Sequence, residues 1–187
     1  MSVIERLLGR SGGDVTPGDV TISRMRRRDL RGGVLAIEAQ SYPRPWSHAV
    51  FGGELEQVRS GSRHYVVARR LGTIVGYAGL WFTGDEAHVT NIAVDPRVRR
   101  QGIARRLMSA LAAEVVERGC TGWTLEVRVS SEGAQELYRA FGFEPAGVRT
   151  RYYENVEDAI VMWCHDVQTV DYRRRLDEIR QGEIDAR

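Results

Sequence analysis

The run from Asn91 to Arg118 constrains the fold more than any other part of this 187-residue chain. An apolar strand, Asn91-Ile92-Ala93-Val94, is stopped by Asp95-Pro96, and a few residues later Gly102 leads into a helix. That helix is strongly patterned. Ile103, Leu107, Leu111 and Val115 recur every four residues, seconded by Ala104, Met108, Ala112 and Val116, while Arg105, Arg106, Glu114, Glu117 and Arg118 take the other side. Free N–H groups at the start of such a helix attract an anion, and the neighbouring arginines add charge. The expected chemistry is a phosphate cradle, although the run taken alone also fits an ordinary helix start with solvated arginines.

Several phosphate-binding classes are excluded by what is missing. A Walker-type loop needs Lys followed by Ser or Thr after its second Gly, and a dinucleotide fold needs Gly-x-Gly-x-x-Gly after its first strand. Neither occurs here, and the chain has no Lys at all, so its 27 cations are all Arg. This removes Schiff-base, Walker-loop and protein-kinase chemistry, each of which relies on a Lys. A net charge of +2 is too small to indicate a DNA partner by bulk electrostatics. Cys120 and Cys164 lie far apart with no metal-ligand spacing, so neither a disulfide framework nor a metal site is expected. No apolar run of membrane-spanning length occurs, and a cytoplasmic protein without a membrane partner is the expectation.

Along the chain, residues 1–19 carry Gly9, Gly12, Gly13, Pro17 and Gly18 and read as a flexible leader. Residues 20–166 read as one domain, and residues 167–187 as a charged helical tail. Within the domain, Val20 begins a strand, and Asp29 is expected to cap a helix running to Gln40. Ser41 to Ser47, with two prolines, cannot be helix, and Ser47 is placed to cap the next one. Two strands flanking Arg70-Leu71-Gly72 form a hairpin, and Glu86 to Val94 follows as a third strand. Gly122 to Val129 alternates, with Thr124, Glu126 and Arg128 on one face. A helix from about Glu132 to Phe141 and two final strands complete an α+β fold with a mixed sheet, antiparallel in its N-terminal half and flanked by helices on both faces.

Several separated segments, spanning roughly residues 20 to 165, resemble the GNAT acetyltransferases, and among them the RimI type that acetylates the N-terminal alanine of a ribosomal protein. They are Pro45-Trp46-Ser47 with Phe51, Asn91 to Pro96, Arg100-Gln101-Gly102-Ile103-Ala104, Leu125-Glu126-Val127-Arg128, Leu137-Tyr138 before Phe141-Gly142-Phe143, and Arg151-Tyr152-Tyr153. By this resemblance the cosubstrate is acetyl-CoA. The backbone of Ile92, Ala93 and Val94 would pair with its pantetheine arm, and Arg99, Arg100, Gln101, Gly102, Ile103, Ala104 and Arg105 would surround its pyrophosphate. Glu126 is implied as the general base and Tyr138 as the acid for the leaving thiolate. The acceptor, the N-terminus of a protein, would lie between Pro45-Trp46 and Arg151-Tyr152-Tyr153. Ser131 stands where the family usually has an Asn touching the cofactor arm, a weaker contact with fewer donors.

Each of these residues also has a plainer reading. Glu126 could be a surface carboxylate paired with Arg128, Tyr138 a core tyrosine, and Trp46 packing at the base of a loop. Cys164 and His165 are strand neighbours that point to opposite faces, which makes Cys164 a buried thiol rather than a nucleophile with its base. The histidines at 48, 64 and 88 share no ligand spacing. Two alternative functions stay open at this point: the same fold acting on a small-molecule amine or a protein lysine, and an acyl-CoA-binding module without catalysis.

Overall fold

The computed structural model describes residues 20–185, so the expected leader lies outside the described residues. Among the described residues, seven strands and five helices longer than one turn make a mixed, mostly antiparallel α+β fold. The strands are β1 (Val20–Arg24), β2 (Arg63–Arg70), β3 (Thr73–Thr83), β4 (Glu86–Val94), β5 (Gly122–Arg128), β6 (Glu144–Tyr153) and β7 (Glu157–His165). The helices are α1 (Leu35–Ser41), α2 (His48–Gln57), α3 (Ile103–Glu117), α4 (Glu132–Ala140) and α5 (Val170–Asp185). Among the described residues no helix is long and apolar enough to cross a membrane.

The chain forms two compact units. One extends to Phe82 and includes Thr90–Glu114; the other comprises Thr83–Val89 and the chain from Val115 onward. In the first, the strand order is β1-β2-β3 followed by the C-terminal half of β4. Antiparallel pairing joins Val20 of β1 to Arg70 of β2, and Tyr65 of β2 to Gly79 of β3. That last pairing explains a glycine inside a strand, because a Cβ on Gly79 would stand 2.1 Å from the Tyr65 ring. The core is aromatic at its centre, where Phe51 meets Tyr77 and Tyr65 edge-to-face, with Leu30, Val34 and Ile37 packed around them. Helix α3 lies close on β3, since a Cβ on Gly76 would come within 3.1 Å of Leu107. Its buried Glu114 is paired with His64 at 3.2 Å.

The entry into α1 departs from expectation. The chain is already helical at Arg27–Asp29, and a wide turn, Leu30–Val34, follows before α1 itself. Asp29 therefore does not start the helix; it sits inside the first turn, and its carboxylate reaches back to the Arg26 N–H at 2.8 Å. Ser47 does cap α2, accepting from the Val50 N–H.

In the second unit the order is β4-β5-β7-β6. The N-terminal half of β4 runs parallel to β5, with Glu86, Ala87 and His88 opposite Gly122, Trp123 and Thr124. Seven antiparallel pairs join β5 to β7, from Gly122 opposite His165 to Arg128 opposite Ala159. The inward face of β5 carries Trp123, Leu125 and Val127, all buried, and Trp123 packs on Phe143 at 4.6 Å. The expected alternation leaves Thr124, Glu126 and Arg128 on the other face. The tail forms α5, with Tyr172 and Leu176 buried.

Candidate active site

The first unit holds the turn between β4 and α3. Buried Asp95 caps a single helical turn, Pro96–Val98, by accepting from the Arg97 N–H at 2.9 Å and pairing with its guanidinium. The hydrogen bond from Arg97 is the main reason the Asp95 carboxyl titrates below its ordinary range. Past it, Arg100 and Gly102 both adopt left-handed backbone, with φ of 63° and 74°. At Gly102 a Cβ would meet nothing within 4 Å, so the glycine is required by its backbone angle rather than by crowding. Ile103 is buried and anchors the start of α3, while Ala104 is half-buried.

The arginines of this turn differ in their engagement. Arg99 donates to the Val94 carbonyl at 3.2 Å, and Gln101 accepts from Arg70 at 2.7 Å. Arg100 and Arg105 are exposed and have no hydrogen-bond or ion-pair partner among the described residues. Two uncompensated cations beside open helix N–H groups suit a dianion such as a pyrophosphate. On β4 the Ile92 carbonyl accepts from the Tyr42 hydroxyl at 2.8 Å, Ala93 is buried and Val94 half-buried.

Pro45 and Trp46 also belong to the first unit. Trp46 packs edge-to-face on Phe51 at 5.4 Å, and its backbone N–H donates to Glu38 at 2.8 Å. Glu38 is buried and also accepts from the Tyr77 hydroxyl; burial is the largest influence on its carboxyl and raises it above the usual range. A buried acid on α1 thus ties down the Ser41 to Ser47 loop, a role the helical spacing of α1 does not announce.

The second unit gathers the titratable groups around Glu126, whose side chain is only 6 % exposed. One carboxylate oxygen lies 3.0 Å from His88 Nε2 and the other 3.0 Å from the Arg149 guanidinium. Burial by itself would raise this carboxyl; the His88 hydrogen bond and the charges of His88 and Arg149 outweigh it and hold Glu126 below the usual range. Glu126 is therefore neither paired with Arg128 nor on the open surface. Arg149 lies over the Tyr152 ring at 5.5 Å, and the Tyr152 hydroxyl is raised by burial first and then by the charge of Glu126. Tyr153 donates to the Glu126 carbonyl at 3.0 Å. Tyr138 is buried on α4 with its ring against Phe143 at 6.0 Å. Ser131 starts α4, but its hydroxyl accepts no hydrogen bond from the helix N–H groups.

Two of these partners are not legible in the sequence. Histidine spacing gave no hint of His88, because its link to Glu126 depends on the β4–β5 register, which sets it opposite Thr124, two residues from Glu126 on one face. The Arg expected beside Tyr152 was Arg151, yet Arg151 is exposed, with a left-handed φ of 53° and its own N–H on Asp158. Arg149 is the cation that reaches Glu126. It sits opposite Ala159, which is opposite Arg128, so all three share a face with Glu126 and the small Ala159 leaves room to cross.

The acetyltransferase (GNAT) family model matches residues 32–143. This chain belongs to the GNAT family of acetyltransferases. It is 41 % identical over 140 residues to the N-alpha-acetyltransferase RimI of Mycobacterium tuberculosis, a match spanning 72 % of this chain and 84 % of that one. The crystal structure of the ribosomal-protein-S18-alanine N-acetyltransferase from Escherichia coli superimposes with a TM-score of 0.71 at 33 % identity, over 79 % of this chain and 94 % of that one. The structure of yncA from Salmonella typhimurium, with its cofactor acetyl-CoA, matches in fold alone, at a TM-score of 0.70 and 16 % identity over 79 % and 94 % of the two chains. This GNAT acetyltransferase is thus an acyltransferase of the RimI type.

Proposed function

We propose that this GNAT acetyltransferase moves an acetyl group from acetyl-CoA to the α-amine of a protein beginning with alanine, a ribosomal protein in the cytoplasm. The observation that carries the reading is the buried Glu126 carboxylate gripped by His88 and Arg149 beside exposed Tyr152. Relatives named for ribosomal alanine acetylation support the choice of acceptor.

In this reading Arg99, Arg100, Gln101, Gly102, Ile103, Ala104 and Arg105 hold the pyrophosphate, and the β4 backbone at Ile92, Ala93 and Val94 takes the pantetheine arm. Ser131 adds a weak contact to that arm. The Ile92 and Val94 carbonyls of β4 already accept one bond each, from Tyr42 and Arg99, so the strand would meet the arm chiefly by donating from its N–H groups. Acetyl-CoA supplies an acetyl thioester. An attacking amine must be neutral, and an α-amine with pKa of about 7.7 to 8.0 reaches that form far more readily near neutral pH than a lysine at about 10.4. Glu126, ionised at neutral pH, takes the ammonium proton as the N–C bond forms, with His88 as its adjoining proton carrier. The C–S bond breaks and Tyr138 protonates the departing sulfur. Positioning supplies much of the remaining rate, and Pro45, Trp46, Arg151, Tyr152 and Tyr153 are the groups that would hold the acceptor.

The test is incubation with acetyl-CoA and a panel of peptides. A peptide starting with Ala gains the mass of one acetyl group, on its α-nitrogen, in preference to the same peptide with a blocked N-terminus and internal Lys. No gain on any free N-terminus, or much faster turnover of a small-molecule amine, overturns the reading.

A further inference from the structure

The connection from β6 to β7 is a costly turn. Glu154 and Asn155 in the connection, and Arg151 near the end of β6, all have positive φ, at 52°, 59° and 53°, and none is glycine. The Val156 N–H closes the turn on the Tyr153 carbonyl at 3.0 Å and Asn tolerates this region, but Arg151 and Glu154 enter it at a cost that further contacts must offset. The register between β6 and β7 also slips between Arg149 and Tyr153, so sheet pairing does not supply the hold throughout.

The hold comes from β5. One guanidinium nitrogen of Arg128 donates to Glu154 at 2.7 Å and another to Glu157 at 2.8 Å, joining carboxylates on the two sides of Asn155. Its plane lies over the Tyr153 ring, 4.1 Å from the centroid. The second oxygen of Glu157 is taken by the Ser130 N–H at 3.0 Å and by the Ser130 hydroxyl. The Ser130 hydroxyl first, and Arg128 next, bring the Glu157 carboxyl down to about 2, so the clamp stays charged at any working pH. Arg128 also lies two residues from Glu126 on one strand and one face, so the distance between clamp and carboxylate is set by covalent geometry.

We infer that Arg128 is a positioning residue, which locks the β6–β7 turn so that Tyr152 and Tyr153 stand at a fixed distance from Glu126 for the acceptor peptide. This rests on the reading of Glu126 and the two tyrosines as the acceptor side of the site. A planar fork is required. The single ammonium of a Lys cannot reach both carboxylates while covering the Tyr153 ring.

The experiment combines backbone hydrogen exchange with steady-state kinetics on the full chain, for the wild type, Arg128→Lys, Arg128→Met and the milder Glu154→Gln. Amides of residues 150–157 exchange at least about tenfold faster in Arg128→Met, less so in Glu154→Gln, while β5 keeps its protection. The KM for an Ala-starting peptide rises about tenfold, the loss of one hydrogen bond to a charged group, and the KM for acetyl-CoA stays within about twofold. Arg128→Lys recovers little of the peptide KM. If Arg128→Met leaves the turn protected, or loosens it with both KM values unchanged, the inference is wrong. If Arg128→Met unfolds, Glu154→Gln decides by the same two readouts. If the wild type acetylates no peptide, the functional reading fails instead, and the inference falls with it as a statement about substrate while exchange still reports on the turn.

Discussion

Replacing Glu126 by Gln separates chemistry from stability. The amide is nearly isosteric, and its oxygen can still accept from His88 in the place of the carboxylate oxygen 3.0 Å away. What is lost is the negative charge and the contact with Arg149, which is 56 % exposed. An ion pair with so open a partner is screened, and its loss costs under about 1 kcal/mol. For a chain of this length that is a fall in Tm of about 2 to 4 °C at most. The catalytic cost is much larger. A positioned general base contributes about a hundredfold to ten-thousandfold, or about 2.7 to 5.4 kcal/mol of barrier. The assay is kcat/KM for acetylation of an Ala-starting peptide, measured beside a thermal melt of the same preparation. Because Glu126 is held below its ordinary 4.5, it is ionised throughout the neutral range. The rise of kcat/KM with pH should then follow the peptide amine, near about 7.7 to 8.0. An E126Q enzyme within about threefold of wild type, with its melt unchanged, refutes the assignment of Glu126 as base.

Further outcomes follow from other parts of the site. Tyr138→Phe keeps the ring against Phe143 and loses only the hydroxyl, so kcat should fall about a hundredfold with little change in Tm; a thioester whose thiol is more acidic should recover much of that loss, and equal losses on both donors would exclude Tyr138 as the acid. Arg100→Ala and Arg105→Ala should each raise the KM for acetyl-CoA about tenfold and leave the peptide KM alone, and the effect should shrink at high salt; unchanged affinity would return both to the class of solvated surface charges. Glu157, Glu126 and Asp95 all have folded-state pKa values below their ordinary ones. Their stabilisation is complete above those ordinary values and lost as pH falls through the folded ones, so Tm should drop between about pH 4.5 and 2. For Glu157→Gln that part of the drop should be shallower, and an unchanged acid profile would count against the Ser130–Glu157–Arg128 cluster.

How far the residues alone led can be judged on β5 and α3. The alternation Trp123, Leu125, Val127 against Thr124, Glu126, Arg128 is a period of two, and the spacing Ile103, Leu107, Leu111, Val115 is helical; both are local, and their apolar faces fall as expected, but Glu114, expected on the polar side of α3, is buried against His64, a partner from a distant strand that the helical spacing does not reveal. The first helical segment was harder. Asp29 could serve either as a cap or inside the first turn, and choosing between them depends on where the chain turns helical, which a local reading resolves poorly. Trp46 shows a further limit, since its contact with buried Glu38 crosses a loop whose two prolines hide any periodicity.

By itself the sequence determined the class of chemistry. A strand, a Gly-containing turn flanked by arginines and an amphipathic helix are contiguous, their resemblance to the GNAT family together with Leu125 to Arg128 and Arg151 to Tyr153 gave them a meaning, and the absence of Lys excluded rival phosphate binders without any geometry. Only the tertiary structure decided who stands beside Glu126. His88 lies 38 residues before it and Arg149 lies 23 after it in the numbering, and their approach is set by a three-pair parallel register on one side and two antiparallel pairings on the other. Strand register is a property of hydrogen bonds between distant segments, and shifting it by one residue would turn either side chain to the opposite face.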